Sequence, residues 1–246
     1  MEATKFWNMH NILGKKIAIF FLLTCFIYTA GSAQAGAGRD NYNYREFQRK
    51  SYYFGLSLGI NSSSFHLDKS KRFIGNDDIS VTEAESGIGF NLNMIANLKL
   101  GDYFDFRFLP GFTFSERTLE YTEVDMNILK TEPLESVFFE LPFQVRFKSA
   151  PYKDKRLFVV GGLKYSYDVA SNSSTKKTVL KFSPHDFQYE IGVGMQFFYP
   201  YFIFSPEIKF SRGITNTLIY DDQLSQSSVL ENVMSQYFTL SFHFEG

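Results

Sequence analysis

Ten charged side chains recur at alternate positions of extended stretches: Lys99, Asp105, Arg107, Glu140, Arg146, Lys148, Lys164, Glu190, Glu207 and Lys209. Six cations against four anions on one set of faces suits mutual ion pairing completed by hydrogen bonds. A second set has the residue types of hydrolytic chemistry. His185-Asp186, Asp77-Asp78 and Asp221-Asp222 set acids beside a histidine or beside each other, and a well-placed acid–His pair can activate water. Nothing in their spacing fixes that geometry. The histidines, at 10, 66, 185 and 243, lack metal-ligand spacing, and no G-x-S-x-G, P-loop or Rossmann glycine pattern occurs. The chain is expected not to be an enzyme and to need neither cofactor nor metal.

Strands must position the first set. In "YFDFRFLPGFTFSE", Tyr103 to Glu116, Phe104, Phe106, Phe108, Phe112 and Phe114 fall on one face, with Asp105, Arg107, Thr113 and Ser115 on the other. Seven further stretches alternate in the same way: 54–61, 87–101, 138–148, 157–168, 187–197, 202–210 and 238–244. The fifth stretch in chain order, "LFVVGGLKYSYD", Leu157 to Asp168, is less clean, with Phe158 and Val160 on the polar side. In none of the eight does Asp, Glu, Lys or Arg occupy the apolar register.

Connections between these stretches alternate short and long. Gly101-Asp102, Ser149 to Arg156 and Tyr199-Pro200 are short; Ser62 to Ser86, Glu116 to Val137, Val169 to Asp186 and Gly213 to Gln236 are long. Even strand count, period-two alternation and one-sided loop lengths predict an all-β fold. Its form is an eight-stranded antiparallel up-and-down transmembrane β-barrel in the outer membrane, with both ends and the short turns periplasmic and four long loops extracellular. The phenylalanine stripe then faces lipid hydrocarbon, where a charge would cost about 2–4 kcal/mol at mid-depth. Eight strands leave a lumen that side chains can fill, so the ten inward charges are expected to form a plug. Tyr52, Tyr53, Tyr103, Tyr152, Tyr199 and Tyr201 map to the short-turn rim, a depth amphipathic rings favour. Pro110, Pro142 and Pro206 fall within strands, where bulges or strand ends are expected.

Residues 1–35 read as a secretory signal, with Lys15-Lys16 before the apolar run Ile17 to Ala30 and small residues at Ala33 and Ala35. Cys25, the single cysteine, lies in that run. Residues 36–51 form an N-terminal tail, and 52–246 the barrel. The tail's bland reading is a flexible periplasmic segment. Its sharper reading is docking on an acidic partner through Arg39, Tyr42, Tyr44, Arg45 and Phe47. In the last long connection, "SSVLENV", Ser227 to Val233, has the spacing of a short capped helix. A formal net charge of −1 argues against nucleic acid as a partner.

Several stretches resemble the PorT/SprT family of Bacteroidota outer-membrane proteins. They are "NLKLGDYFDFRFLPGFTFSERTLEY" (Asn97 to Tyr121), "ESVFFELPFQVRFKS" (Glu135 to Ser149), "GGLKYSYDVAS" (Gly161 to Ser171), "FFYPYFIFSPEIKFSRGI" (Phe197 to Ile214) and the terminal "SFHFEG". The resemblance implies a barrel of the type IX secretion system, needed for export of sorting-domain cargo such as secreted proteases. Partners would be outer-membrane lipid and other envelope proteins of that system. A plugged lumen makes an accessory or assembly role the expectation. The alternatives are a small structural or adhesive barrel, a narrow pore, and a barrel hydrolase working at its loops.

Overall fold

The computed structural model describes residues 42–69, 79–123, 128–169, 181–219 and 230–246, all within the unit Tyr42–Gly246. The expected signal, Arg39, Asp77-Asp78 and Asp221-Asp222 lie outside them. The described residues begin with a helix, α1 (Tyr42–Gln48), and continue as β1 (Tyr52–Lys69), β2 (Ile79–Lys99), β3 (Phe104–Phe108), β4 (Gly111–Glu123), β5 (Ile128–Lys148) and β6 (Lys155–Asp168). There follow β7 (Lys181–Phe182), β8 (His185–Phe198), β9 (Ile203–Gly213), β10 (Leu218–Ile219) and β11 (Leu230–Glu245).

Each wall strand pairs antiparallel with its neighbours, and β1 closes on β11 as well as on β2. β3 and β4 are successive pieces of one wall strand: Lys99↔Asp105 and Asn93↔Gly111 keep one register against β2, as do Asp105↔Arg146 and Gly111↔Glu140 against β5. The wall is therefore a closed, eight-stranded, antiparallel barrel. β7 and β10 pair with each other outside it.

Alternation along the strands turns the barrel inside out. Phe54, Leu56, Leu58 and Ile60 are all at least half exposed, while Ser57, Asn61 and Ser63 on the intervening positions are buried in the lumen. The opening phenylalanine stripe behaves alike, its Phe104, Phe106, Phe112 and Phe114 outward and Asp105, Arg107, Thr113 and Ser115 inward. The rings also pair across strands: Phe90 stacks on Phe114 at 4.4 Å and Phe108 on Phe143 at 4.8 Å. Of the six rim tyrosines, five are exposed at the short-turn end; Tyr53 instead points into the lumen, as its place between outward Tyr52 and Phe54 requires.

Two expectations need correction. Two of the four stretches read as long loops, 62–86 and 116–137, are in large part strand: β1 runs to Lys69, β2 starts at Ile79, and β4 and β5 approach to within four residues of each other. Backbone pairing continues past the region where side chains alternate, so alternation underestimates strand length. Within "SSVLENV", Leu230 to Val233 belong to β11, held by Lys69↔Leu230 and Leu67↔Val233; a neighbouring strand offers these residues a ladder that a lone helical turn cannot match. The rest of that segment lies outside the described residues.

Pro110 falls at a strand end, as expected, and none of the three prolines causes a bulge. Pro110 interrupts the wall strand between β3 and β4 without shifting register, and its carbonyl still accepts the Met94 N–H at 2.8 Å. Pro142 accepts the Leu109 N–H at 3.1 Å but has no N–H to return. The Leu109 carbonyl left over is met by the Asn93 side-chain amide, at 3.2 Å. At Pro206 the β8–β9 pairing skips from Gly194↔Glu207 to Phe197↔Phe204 and resumes in the same register. One missing donor removes one rung, and flanking rungs hold the alignment.

Phe158 and Val160, the two apolar residues on the inward face of β6, are accommodated by glycines directly opposite on β8, Gly194 and Gly192. A Cβ built at Gly194 would sit 2.4 Å from the Phe158 ring. We expect Gly194→Val to force that ring aside and to destabilise the barrel by about 1–3 kcal/mol, read from urea unfolding in detergent micelles. The paired change Gly194→Val with Phe158→Ala should recover part of the loss.

Candidate functional site

The lumen holds the charges that alternation placed there, and it divides into layers. Nearest the short turns, Asp105 receives Lys148 and the Tyr53 hydroxyl, with Arg146 at 4.0 Å. Above it the Arg107 guanidinium spans Glu207 and Glu245, each at 3.0 Å, and Arg146 donates to Glu245 at 2.7 Å. His243 Nε2 lies 3.3 Å from Glu207. Arg107, Arg146, Glu207 and Glu245 are fully enclosed. The Arg146 guanidinium also stacks over the Phe158 ring, 4.5 Å from its centroid.

A second layer is built on acids from β5 and β8. Lys164 donates to Glu140 at 2.8 Å and lies 3.8 Å from Glu190, while Lys209 pairs with Glu190 at 3.2 Å. Gln144 and Ser211 donate to the two oxygens of Glu190, at 2.6 and 3.1 Å. Toward the long connections, Arg117 is caged by the rings of Phe65, Phe138 and Tyr237, 4.6 to 5.0 Å from its guanidinium, and donates to the Tyr237 hydroxyl. A charge caged by ring faces is favoured by their quadrupoles.

The short-turn mouth is closed by α1, where the sequence suggested a flexible tail. Phe47 is buried with Tyr53, Phe198 and Ile203, and Tyr44 packs edge-on to Phe198 at 5.1 Å. Lys99 donates to the Phe47 carbonyl, a cation at the C-terminal end of the helix. Gln48 donates to Asp102 at 2.6 Å, and Arg156 donates to the Tyr44 hydroxyl at 3.2 Å. Burial raises the Tyr44 pKa above the ordinary phenol value, and Arg156 opposes that shift.

The helix is also tied to the turn before β6. Asp154 takes the Tyr44 N–H at 2.9 Å and the Asn43 amide at 3.4 Å. Lys153 and Asp154 occupy the two centres of a tight hairpin turn closed by Tyr152 and Lys155, with φ of 47° and 54°. Neither is glycine, and left-handed φ costs such residues roughly 1–2 kcal/mol each. The Asp154 carboxylate has a use there that glycine could not supply.

Of the tail residues proposed for docking, Tyr44 and Phe47 are therefore committed inward, whereas Tyr42 and Arg45 remain exposed. The candidate pair His185-Asp186 does not form a cluster. His185 faces outward, 2.7 Å from the Tyr165 hydroxyl, and Asp186 faces the lumen, where Gln188 donates to it at 2.7 Å. Consecutive strand residues point to opposite faces, which separates them. Glu245, His243, Arg117, Arg156 and Asp186 are buried polar members that the sequence reading left out of the lumen set. Each lies in the inward register; Glu245, Arg117, Arg156 and Asp186 sit just past the ends assigned to the alternating stretches.

An apolar-outside, charged-inside closed barrel is the architecture of a membrane-spanning β protein. Residues 34–218 match the family model described as "Outer membrane protein beta-barrel domain", so the chain belongs to that family and is an outer-membrane protein. No curated protein matches it. Among solved structures it is similar to the outer membrane protein OprG from Pseudomonas aeruginosa, at 10% identity and TM-score 0.44 over 79% of this chain and 95% of that one. It is also similar to Neisserial surface protein A, at 10% identity and TM-score 0.42 over 78% and 96%. A further match is Ail, the attachment invasion locus protein of Yersinia pestis, at 11% identity and TM-score 0.36 over 80% and 100%.

Among the described residues, Glu245 is the one carboxylate shared by two enclosed guanidinium groups. Glu245→Gln keeps its size and removes its charge, so it should cost about 3–5 kcal/mol of unfolding free energy in micelles. Asp154→Ala should leave the barrel folded but free α1, seen as faster tryptic cleavage after Arg45 and Arg49.

Proposed function

We propose that this barrel is a PorT-type accessory or assembly component of the type IX secretion apparatus. It is needed for export of sorting-domain cargo such as secreted proteases, and it is not the conduit. It works by contact with outer-membrane lipid and with other envelope proteins of the apparatus, without catalysis, cofactor or nucleic acid. The observation that supports a non-conduit role is the lumen itself, in which Arg107, Arg146, Glu207 and Glu245 are mutually paired and fully enclosed. Below them α1 covers the mouth. Opening such a lumen to a polypeptide would separate several buried ion pairs, at about 3–5 kcal/mol for each broken partner. The secretion apparatus enters through the resemblance alone.

In this reading the short turns, α1 and the end of β11 face the periplasm, and the four long connections face outward, the usual arrangement of such barrels. A second reading, a structural or adhesive surface barrel, draws on strand length. About 9–11 residues suffice to cross a bilayer, whereas β2 and β5 have 21 each, so their hairpins stand well clear of the lipid.

A clean deletion strain should accumulate sorting-domain cargo in the periplasm, and the intact gene should restore its release; normal secretion would sink the secretion reading. The purified barrel should give no steady conductance in a planar bilayer, where a narrow pore would conduct. Tyr201→Cys should react with a membrane-impermeant maleimide only after the outer membrane is permeabilised.

A further inference from the structure

The outer face of α1 is an exposed surface that carries more cations than anions among the described residues. Tyr42, Arg45, Glu46 and Arg49 recur at intervals of three and four residues, so they share one side of the helix and its following turn, and all are exposed. The opposite side carries Tyr44 and Phe47, seated on Tyr53, Phe198 and Ile203. Because Tyr53 and Ile203 are lumen-facing, the helix lies across the mouth. Its free side therefore points away along the barrel axis and not toward the lipid around the wall.

Further cations border this face. Asn43 and Tyr44 bond to Asp154, which brings Lys153 and Lys155 beside the start of the helix, and Lys50 follows its end. All three are exposed, resting on the rings of Tyr152, Phe197 and Phe47 respectively. The acids nearby are fewer: among the described residues Glu46, Asp102 and Asp154 stand against Arg45, Arg49, Lys50, Lys153 and Lys155. Among the described residues of the exposed stripe, Glu46 alone opposes Arg45 and Arg49. Tyr201, 91% exposed in the turn between β8 and β9, adds a second aromatic to Tyr42. The turn residue Lys153 keeps its side chain at a left-handed φ where glycine would be unstrained.

We propose that this face docks an acidic protein segment, with Arg45, Arg49 and Lys153 meeting its carboxylates and Tyr42 and Tyr201 as aromatic anchors. Exposed cations around amphipathic rings fit such a partner, the charges governing encounter and the rings supplying buried area. The inference rests on the orientation proposed above, which sets this mouth in the periplasm, and it names the chemistry of one envelope partner. It also shifts the docking surface from Tyr44 and Phe47, which hold the helix down, to the opposite side of the same helix.

The test uses the full chain in phosphatidylcholine nanodiscs and a fluorescein-labelled decaglutamate peptide, followed by anisotropy. The wild type should bind it saturably at low salt and lose affinity as ionic strength rises. The double variant Arg45→Glu with Arg49→Glu should bind about tenfold more weakly or worse, with its folded mobility on gels unchanged. Absent binding, or equal binding by both proteins, would overturn the proposal. A lipid surface is the other occupant to test. A dye on Tyr42→Cys that is quenched by headgroup-labelled lipid would place the face against the bilayer and likewise overturn it. Peptide binding is read in discs whichever way the barrel faces in the cell. Labelling of Tyr201→Cys from outside would therefore sink the periplasmic orientation while leaving the acidic-segment site in place.

Discussion

Hydrocarbon offers no water to a backbone N–H or carbonyl, and the structure follows from that condition. Every strand must find two neighbours, so the sheet closes, with β1 meeting both β2 and β11. Once the outer wall must be apolar, period-two geometry leaves the inner wall as the place for charge. Enclosed charges then have to satisfy one another. Arg107 and Arg146 converge on Glu245, and Glu190 draws in Lys164, Lys209, Gln144 and Ser211. The same condition explains why Asn93 turns its amide to the Leu109 carbonyl that Pro142 cannot serve.

Much of this was legible because the lipid condition writes itself into every second residue. The phase of all eight alternating stretches matches the structure, down to the exceptions Phe158 and Val160, which are inward and face glycines. What alternation could not give was extent. Strand continues through polar sequence such as Arg117 to Glu123, where backbone pairing to β5 holds it. Arg117 and Glu245 were overlooked for this reason, each lying one step past the recognised pattern. A missing donor predicts a strand end or a bulge; Pro110 gives the strand end, and at all three prolines the neighbouring rungs preserve register.

The N-terminal segment was the harder case. Tyr42 to Gln48 has no long amphipathic repeat, and an isolated helix of that length does not persist in water. Its order comes from a seat that no local pattern reveals: Asp154 on a turn more than a hundred residues away, and Phe198 and Ile203 from the adjoining β8 and β9. A sequence reading sees aromatic and basic residues there and assigns them all to one task. The structure divides them, with one side of the helix for closure and the other exposed.

Glu245 ends the last strand, and its position bears on how the barrel is completed. Its two guanidinium partners come from β3 and β5, far earlier in the chain, and the other carboxylate on Arg107 comes from β9. An intermediate zipped only through the early strands would leave Arg107 without either of its acids and Arg146 with Asp105 alone. Unmet charge would disfavour that half-built form, so the charge lattice penalises arrest partway. The final strand then acts as a latch: edge closure and charge neutralisation arrive in one step, and assembly is driven toward all or nothing.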